Sequence, residues 1–110
     1  MTSPRMISVT HFRSGDSGFE HRAQDALAAL ARRPGFVRGS IGRSTDDESD
    51  WLLTSEWANV GSYRRALGDY DVKLRATPLL GEAVDIATSF ESLLDIAADG
   101  TATAHASDKA

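Results

Sequence analysis

Pro34-Gly35-Phe36-Val37-Arg38-Gly39-Ser40-Ile41-Gly42-Arg43-Ser44, with Glu56-Trp57 downstream, is the stretch whose reading decides the fold. Pro-Gly stops a helix, and the β-branched and aromatic residues after it begin a strand. Small residues at Gly39, Ser40 and Gly42 predict a strand with one face free of bulky side chains. A second strand then ends on the indole of Trp57. A bare strand face beside aromatic bulk makes room for a flat guest.

Upstream, Phe19, Ala23, Ala26, Leu27 and Leu30 recur at helical spacing, which predicts a helix over 18–33. Ser17-Gly18-Phe19-Glu20 reads as its capping box, with Arg32 and Arg33 in its last turn. Before it, Met6 to Phe12 alternates as a strand, with Ile7, Val9 and His11 on one side and Met6, Ser8, Thr10 and Phe12 on the other. Downstream, the acidic run 45–50 is a hairpin loop into a strand from Trp51 to Trp57. Asn59 is a natural N-cap for a helix whose Val60, Tyr63 and Leu67 share a face and which Gly68 closes. The stretch 69–81 is too apolar for a free loop, and Pro78 forbids one long helix, so a further helical segment packed on the core is expected. The last strand falls within 82–94, with Val84, Ile86, Thr88 and Phe90 on one side. From Ala97 onward apolar periodicity is lost, so one domain over 1–96 and a disordered tail over 97–110 are expected.

The order β-α-β, β-α-β predicts an α+β fold: a ferredoxin-like split β-α-β sandwich, with an antiparallel four-stranded sheet and helices on one face. Both faces of that sheet carry apolar residues, so the uncovered face is expected to meet a second copy in a homodimer. A chain of 110 residues is one domain by size, and 41% hydrophobic with 25% charged residues is ordinary globular composition. A net charge of −4 argues against nucleic acid as a partner. Neither a signal peptide nor an apolar run of membrane-spanning length is present, which predicts a cytoplasmic protein with no membrane partner. With no cysteine there is no disulfide and no thiolate chemistry, and no histidine pair at helical spacing suggests a metal site.

The order of elements from Met6 to about Leu94, the Pro-Gly-Phe strand entry, the Glu56-Trp57 pair and Ser62-Tyr63-Arg64 resemble the antibiotic biosynthesis monooxygenase family. The resemblance implies a dimeric α+β barrel. For the quinone-forming members it also implies oxygenation of a phenolic or polyketide-like aromatic by O2, without flavin, haem or metal cofactor. In those members a tryptophan closes the third strand, a tyrosine follows six residues on and an arginine lies further down, matched here by Trp57, Tyr63 and Arg75. Trp57 would be a stacking wall, Tyr63 a partner to a substrate oxygen and Arg75 a cation for the phenolate. Two positions depart from the pattern: Leu53 stands where those members can show asparagine, and Gly42 where they can show histidine.

Each of these residues also has a structural role open to it. Trp57 suits core packing or a dimer contact, Tyr63 suits the apolar face of its helix, and Arg75 can pair with Asp71 one turn back. His11 alternates with Ile7 and Val9, so an inward position as general base is the reading to test. A non-catalytic dimeric binding module is the alternative function. Haem handling is a weaker one, because among His11, His21 and His105 none follows the second helix at a useful place.

Overall fold

The computed structural model describes residues 5–107. Its elements are β1 (Met6–Arg13), α1 (Phe19–Ala31), β2 (Phe36–Arg43), β3 (Asp50–Trp57), α2 (Val60–Leu67), α3 (Tyr70–Arg75), α4 (Thr77–Leu80), β4 (Ser89–Glu91), β5 (Leu94–Ile96) and β6 (Ala102–Ala104). The first four strands by position form one antiparallel sheet in the order β2-β3-β1-β4, the ferredoxin-like split arrangement. The helices lie on one face of it. Among the described residues no helix is long and apolar enough to cross a membrane.

Strand alternation sorts the side chains between the two faces. Met6, Ser8, Thr10 and Phe12 of β1, with Trp51, Leu53, Ser55 and Trp57 of β3, are buried under the helices. Phe19, Ala23, Ala26, Ala29 and Leu30 of α1 pack onto them. Alanine at three of these five positions lets the helix backbone sit close to the sheet. Val72 of α3, Ala76 at the junction of α3 and α4, and Leu79 of α4 complete the same core.

The helix starts differ in how they are closed. Asn59 caps α2 as its sequence predicts, its side chain accepting from the Ser62 N–H at 2.8 Å. The capping box at Ser17 and Glu20 does not form. Gly18 is the N-cap without a side-chain bond, and Asp16 turns the chain instead, its carboxylate accepting from the Gly18 N–H at 2.9 Å. An aspartate with a backbone donor two residues on closes an Asx turn, a local alternative to the side-chain cap.

Beyond α1, Gly35 adopts φ +91°, and a Cβ there would lie 2.3 Å from the Ser62 Oγ. Glycine is required at this point both by the left-handed backbone and by the close approach of α2. A bulge between Phe36 and Arg38 then resets the β2 register. The three small positions of β2 do not share one face. Gly39 points under the helices, where a Cβ would meet Leu27 Cδ1 at 2.7 Å, so the space it leaves is filled by α1. Gly42 lies on the uncovered side, where a Cβ would meet nothing within 4 Å.

The last strand is shorter than its alternation predicts. Only Ser89–Glu91 ladders with β1, although the Val9 N–H still reaches Thr88 O at 2.8 Å. The Val84 N–H then donates to His11 O at 2.8 Å, where continuing the Ile7–Phe90 register would place Ile86. The chain thus slips and runs beside β1 as an irregular wall. Where the sequence predicts no ordered element after Ala97, β5 and β6 pair as a two-stranded hairpin. Gly100 at φ +88° makes its turn, and the Asp99 carboxylate accepts from the Thr101 N–H at 2.8 Å. Its strands are exposed, with Leu94 and Ile96 of β5 at the surface and only Ala and Thr in β6; the last three residues of the expected tail lie outside the described residues.

Candidate functional site

Trp57 ends β3 fully buried, with its indole N–H donating to Ser55 Oγ at 2.8 Å. Its ring is edge-on to Phe36 at 5.3 Å between centroids and tilted against Tyr63 at 5.6 Å. Tyr63 arrives from α2, half-buried, and the Ser8 hydroxyl points at its phenol oxygen across 3.5 Å, long for a hydroxyl pair. Ser8 and Ser55 are direct neighbours across the β1–β3 ladder. Two aromatic rings and two strand hydroxyls therefore meet between the sheet and α2. Thr10 extends the buried hydroxyl row along β1, while Leu53 fills the adjoining β3 position at 2% exposure. The row sits in an otherwise apolar core, with Ser55 engaged by the Trp57 indole and Ser8 directed at Tyr63.

Arg75 does not join this group. It projects from α3 to solvent, its side chain 56% exposed, and its Nε donates to Asp71 Oδ1 at 2.7 Å. Arg32 donates to the other oxygen of the same carboxylate at 3.2 Å. Those two bonds, Arg75 first and Arg32 second, hold the Asp71 carboxyl below its ordinary value. Arg75 thus serves a surface ion-pair network joining α3 to the end of α1.

His11 is not turned into the helix-side core either. It is exposed on the uncovered face, because the buried set of β1 is the other alternation set. There it lies in register with Leu52, which in turn pairs with Gly42, so Gly42, Leu52 and His11 form one row across three strands. With Val84 and Ile86 as a wall, the row lines a cavity of about 570 Å3. Trp57, Tyr63 and Arg75 are not among its lining residues.

At the rim, Arg13 forms ion pairs with Asp47 and Asp50, which raises the Arg13 pKa through the Asp47 hydrogen bond first. The Asp47 carboxyl is held below its ordinary value, chiefly by the Ser49 backbone N–H and then by Arg13. Arg43, also at the rim, lies over the Trp51 ring at 5.3 Å. The pattern that reveals this cavity is readable in hindsight. Leu52 is apolar on the alternation set opposite Trp51 and Leu53, and the β2–β3 register sets it beside a glycine.

Comparison with known proteins agrees with this architecture. Residues 5–72 match the model of the family described as antibiotic biosynthesis monooxygenase. Deoxynogalonate monooxygenase of Streptomyces nogalater is 32% identical over 65 residues, 59% of this chain and 55% of that protein, so the match spans about half the relative's length. The crystal structure of SnoaB, a cofactor-independent oxygenase from the same organism, superposes with a TM-score of 0.71 at 25% identity, covering 82% of this chain and 94% of that one. A conserved protein from Methanosarcina mazei Go1 shares the fold at 15% identity, with a TM-score of 0.65 over 80% of this chain and 92% of its own. With more than half of the chain matched, this protein belongs to the antibiotic biosynthesis monooxygenase family.

Proposed function

We propose that this protein is a cofactor-independent monooxygenase that oxidises a phenolic or polyketide-like aromatic to a quinone with O2. The observation that carries the reading is the convergence of Trp57, Tyr63, Ser8 and Ser55 between the sheet and α2. The reaction converts a methylene flanked by aryl rings, plus O2, into a carbonyl and water. One oxygen atom enters the product and the other leaves as water. The substrate supplies the electrons once it is ionised, so the protein's task is to favour the aryl-oxide, orient it and keep bulk water away. Tyr63 is the one half-buried member of the group and thus the side chain a guest displaces on entry. Its hydroxyl is then the donor to the aryl-oxide, and Trp57 is the wall on which the rings stack. Arg75 is assigned no step, since Asp71 holds its guanidinium at the surface. The homodimer belongs to the same reading, supported by half-buried Ile7, Val9 and Leu52 on a face that no helix among the described residues covers.

The test is O2 uptake by the purified protein given an anthrone-type phenol, with quinone formed in equal amount. Tyr63→Phe is expected to lower kcat by about tenfold or more while the fold is kept. Absence of uptake on a panel of such phenols would overturn the reading. A second reading, a binding module without turnover, is favoured by Leu53, which fills the space beside the hydroxyl row at 2% exposure. Ligand-induced thermal stabilisation with no O2 consumed would select it.

A further inference from the structure

We infer that the outer face of α3, with the basic helix ends beside it, is a docking surface for an acidic amphipathic helix of a partner protein. Tyr70 is 78% and Leu74 59% exposed, and both stand on α3 opposite Val72, the one residue of that helix that is buried. The surface lies on the solvent side of the helices, so it stays open when a second copy covers the other face of the sheet.

Three features argue for this occupant. First, residues four apart on a helix point within about 40° of each other, with Cβ atoms roughly 5–6 Å apart, so Tyr70 and Leu74 form one apolar strip a turn long. Val72 lies about 200° from each and anchors the back of the strip in the core. A strip of that length fits the apolar stripe of another helix, whose side chains repeat at the same spacing. Second, cations flank the strip on both sides, Lys73 about 60° round from Tyr70 and Arg75 about 100° round from Leu74. Third, charge is divided unevenly over the molecule. Within residues 32–33 and 59–81, Arg32, Arg33, Arg64, Arg65, Lys73 and Arg75 stand against Asp69 and Asp71, a local charge of +4. The whole chain carries −4, so the remaining residues carry −8. The cations form one patch: Arg32 bonds Asp71 and Arg33 bonds Asp69, each at 3.2 Å, while Arg33, Arg65 and Asp69 line one hollow at the helix ends. Both carboxylates are thus taken. Among the described residues Arg64, Arg65 and Lys73 enter no ion pair, which leaves them to serve acids from outside. Screening confines these fields to about 8–10 Å, so a short acidic helix meets the patch alone, whereas a long polyanion or a charged bilayer also meets the acidic remainder of the chain.

This surface does not depend on the proposed oxygenation, because it shares no residue with the Trp57–Tyr63 group, and O2 uptake is not read in its test. The experiment is a fluorescence-anisotropy titration of the full chain with a dye-labelled synthetic helical peptide that carries a leucine stripe and glutamate elsewhere, at low and at high salt. The parent is expected to bind it at low salt and more weakly at high salt. Tyr70→Ala with Leu74→Ala keeps the charge and is expected to weaken binding by about tenfold. Lys73→Gln with Arg75→Gln lowers the net charge by two and is expected to cost about tenfold at low salt and little at high salt. Gln24→Glu with Ala28→Glu lowers the net charge equally, on the part of α1 beside β2, and is expected to bind within about twofold of the parent. All six substituted side chains are exposed, so the variants are expected to fold, which circular dichroism checks. The inference is overturned if the parent fails to bind the peptide at low salt, or if the Gln24 and Ala28 pair weakens binding as much as the Lys73 and Arg75 pair. A peptide of the same composition with its leucines scattered overturns it by binding equally well. Phosphatidylserine vesicles or single-stranded DNA binding as tightly as the peptide would likewise overturn it, by making the surface a general anion patch.

Discussion

The two faces of one sheet are built from the same three long strands, yet they hold different things. Under the helices, alternate residues of β1 and β3 are buried to within a few per cent, and hydroxyls and indole have partners there. On the other side the intervening residues are half-buried or exposed, and a cavity remains where β2 lacks a side chain. Period-two alternation makes the two sets independent: a substitution on one face leaves the other face's contacts in place. The helix-covered face therefore carries most of the stability, and the uncovered face carries free apolar surface.

The largest effect that would test this division is a truncation on each face of β3. Trp57→Ala removes a fully buried indole that Phe36 and Tyr63 enclose, and is expected to cost about 3–5 kcal/mol. Leu52→Ala, half-buried on the other face, is expected to cost about 1 kcal/mol. Urea denaturation of both variants measures the gap. Equal losses would mean that the uncovered face is as tightly packed as the core, as a strongly associated second copy would make it.

The strands and helices were legible because their periods are strong: α1, β1, β3 and the Asn59-capped α2 fall where spacing and capping chemistry place them. The split topology followed from element order. Which face His11 occupies was not legible from alternation alone, since both sets of β1 contain two or more residues that tolerate burial, and only docking of α1 decides between them. The placement of Arg75 was only half legible for a similar reason. Helical spacing predicts the Asp71 pair, but that α3 turns both outward depends on Val72 being the buried residue of that helix. Likewise the small residues of β2 read as one bare face, although period-two alternation sets Gly39 and Gly42 on opposite sides; the bulge between Phe36 and Arg38 decides which of them meets Leu27 under the helices.

That separation gives the intermediate test, carried out within one strand. Gly39→Ala would set a Cβ 2.7 Å from Leu27 Cδ1 and 2.9 Å from the Thr54 carbonyl. The leucine terminus can rotate, but the carbonyl belongs to the sheet ladder, so the variant is expected to lose about 1–3 kcal/mol. Gly42→Ala meets no atom and restricts the unfolded chain, so it is expected to gain about 0.4–1 kcal/mol. Thermal unfolding of the pair reads both signs. If both substitutions destabilise alike, Gly42 is packed against something in solution, and the free face is a closed one.

The smallest effect concerns the outer surface of the helices, and it tests whether Arg75 is remote from the covered face in function as well as in position. Asp71 is held below its ordinary carboxylate value by Arg75 and Arg32. A carboxyl depressed in the folded state stabilises the protein above its unfolded pKa, about 3.9, and loses that contribution as pH falls through the lower folded value. Asp71→Asn lacks the contribution at every pH. Its Tm is therefore expected to lie slightly below the parent's at neutral pH and to converge with it in acid or in high salt, because the pair is solvent-exposed and screened. The same variant frees the Arg75 guanidinium from its i−4 partner. If Arg75 is structural, releasing it leaves O2 uptake unchanged. A rise in uptake would instead mean that the carboxylate restrains a cation the covered face can use, which would rejoin Arg75 to Trp57 and Tyr63.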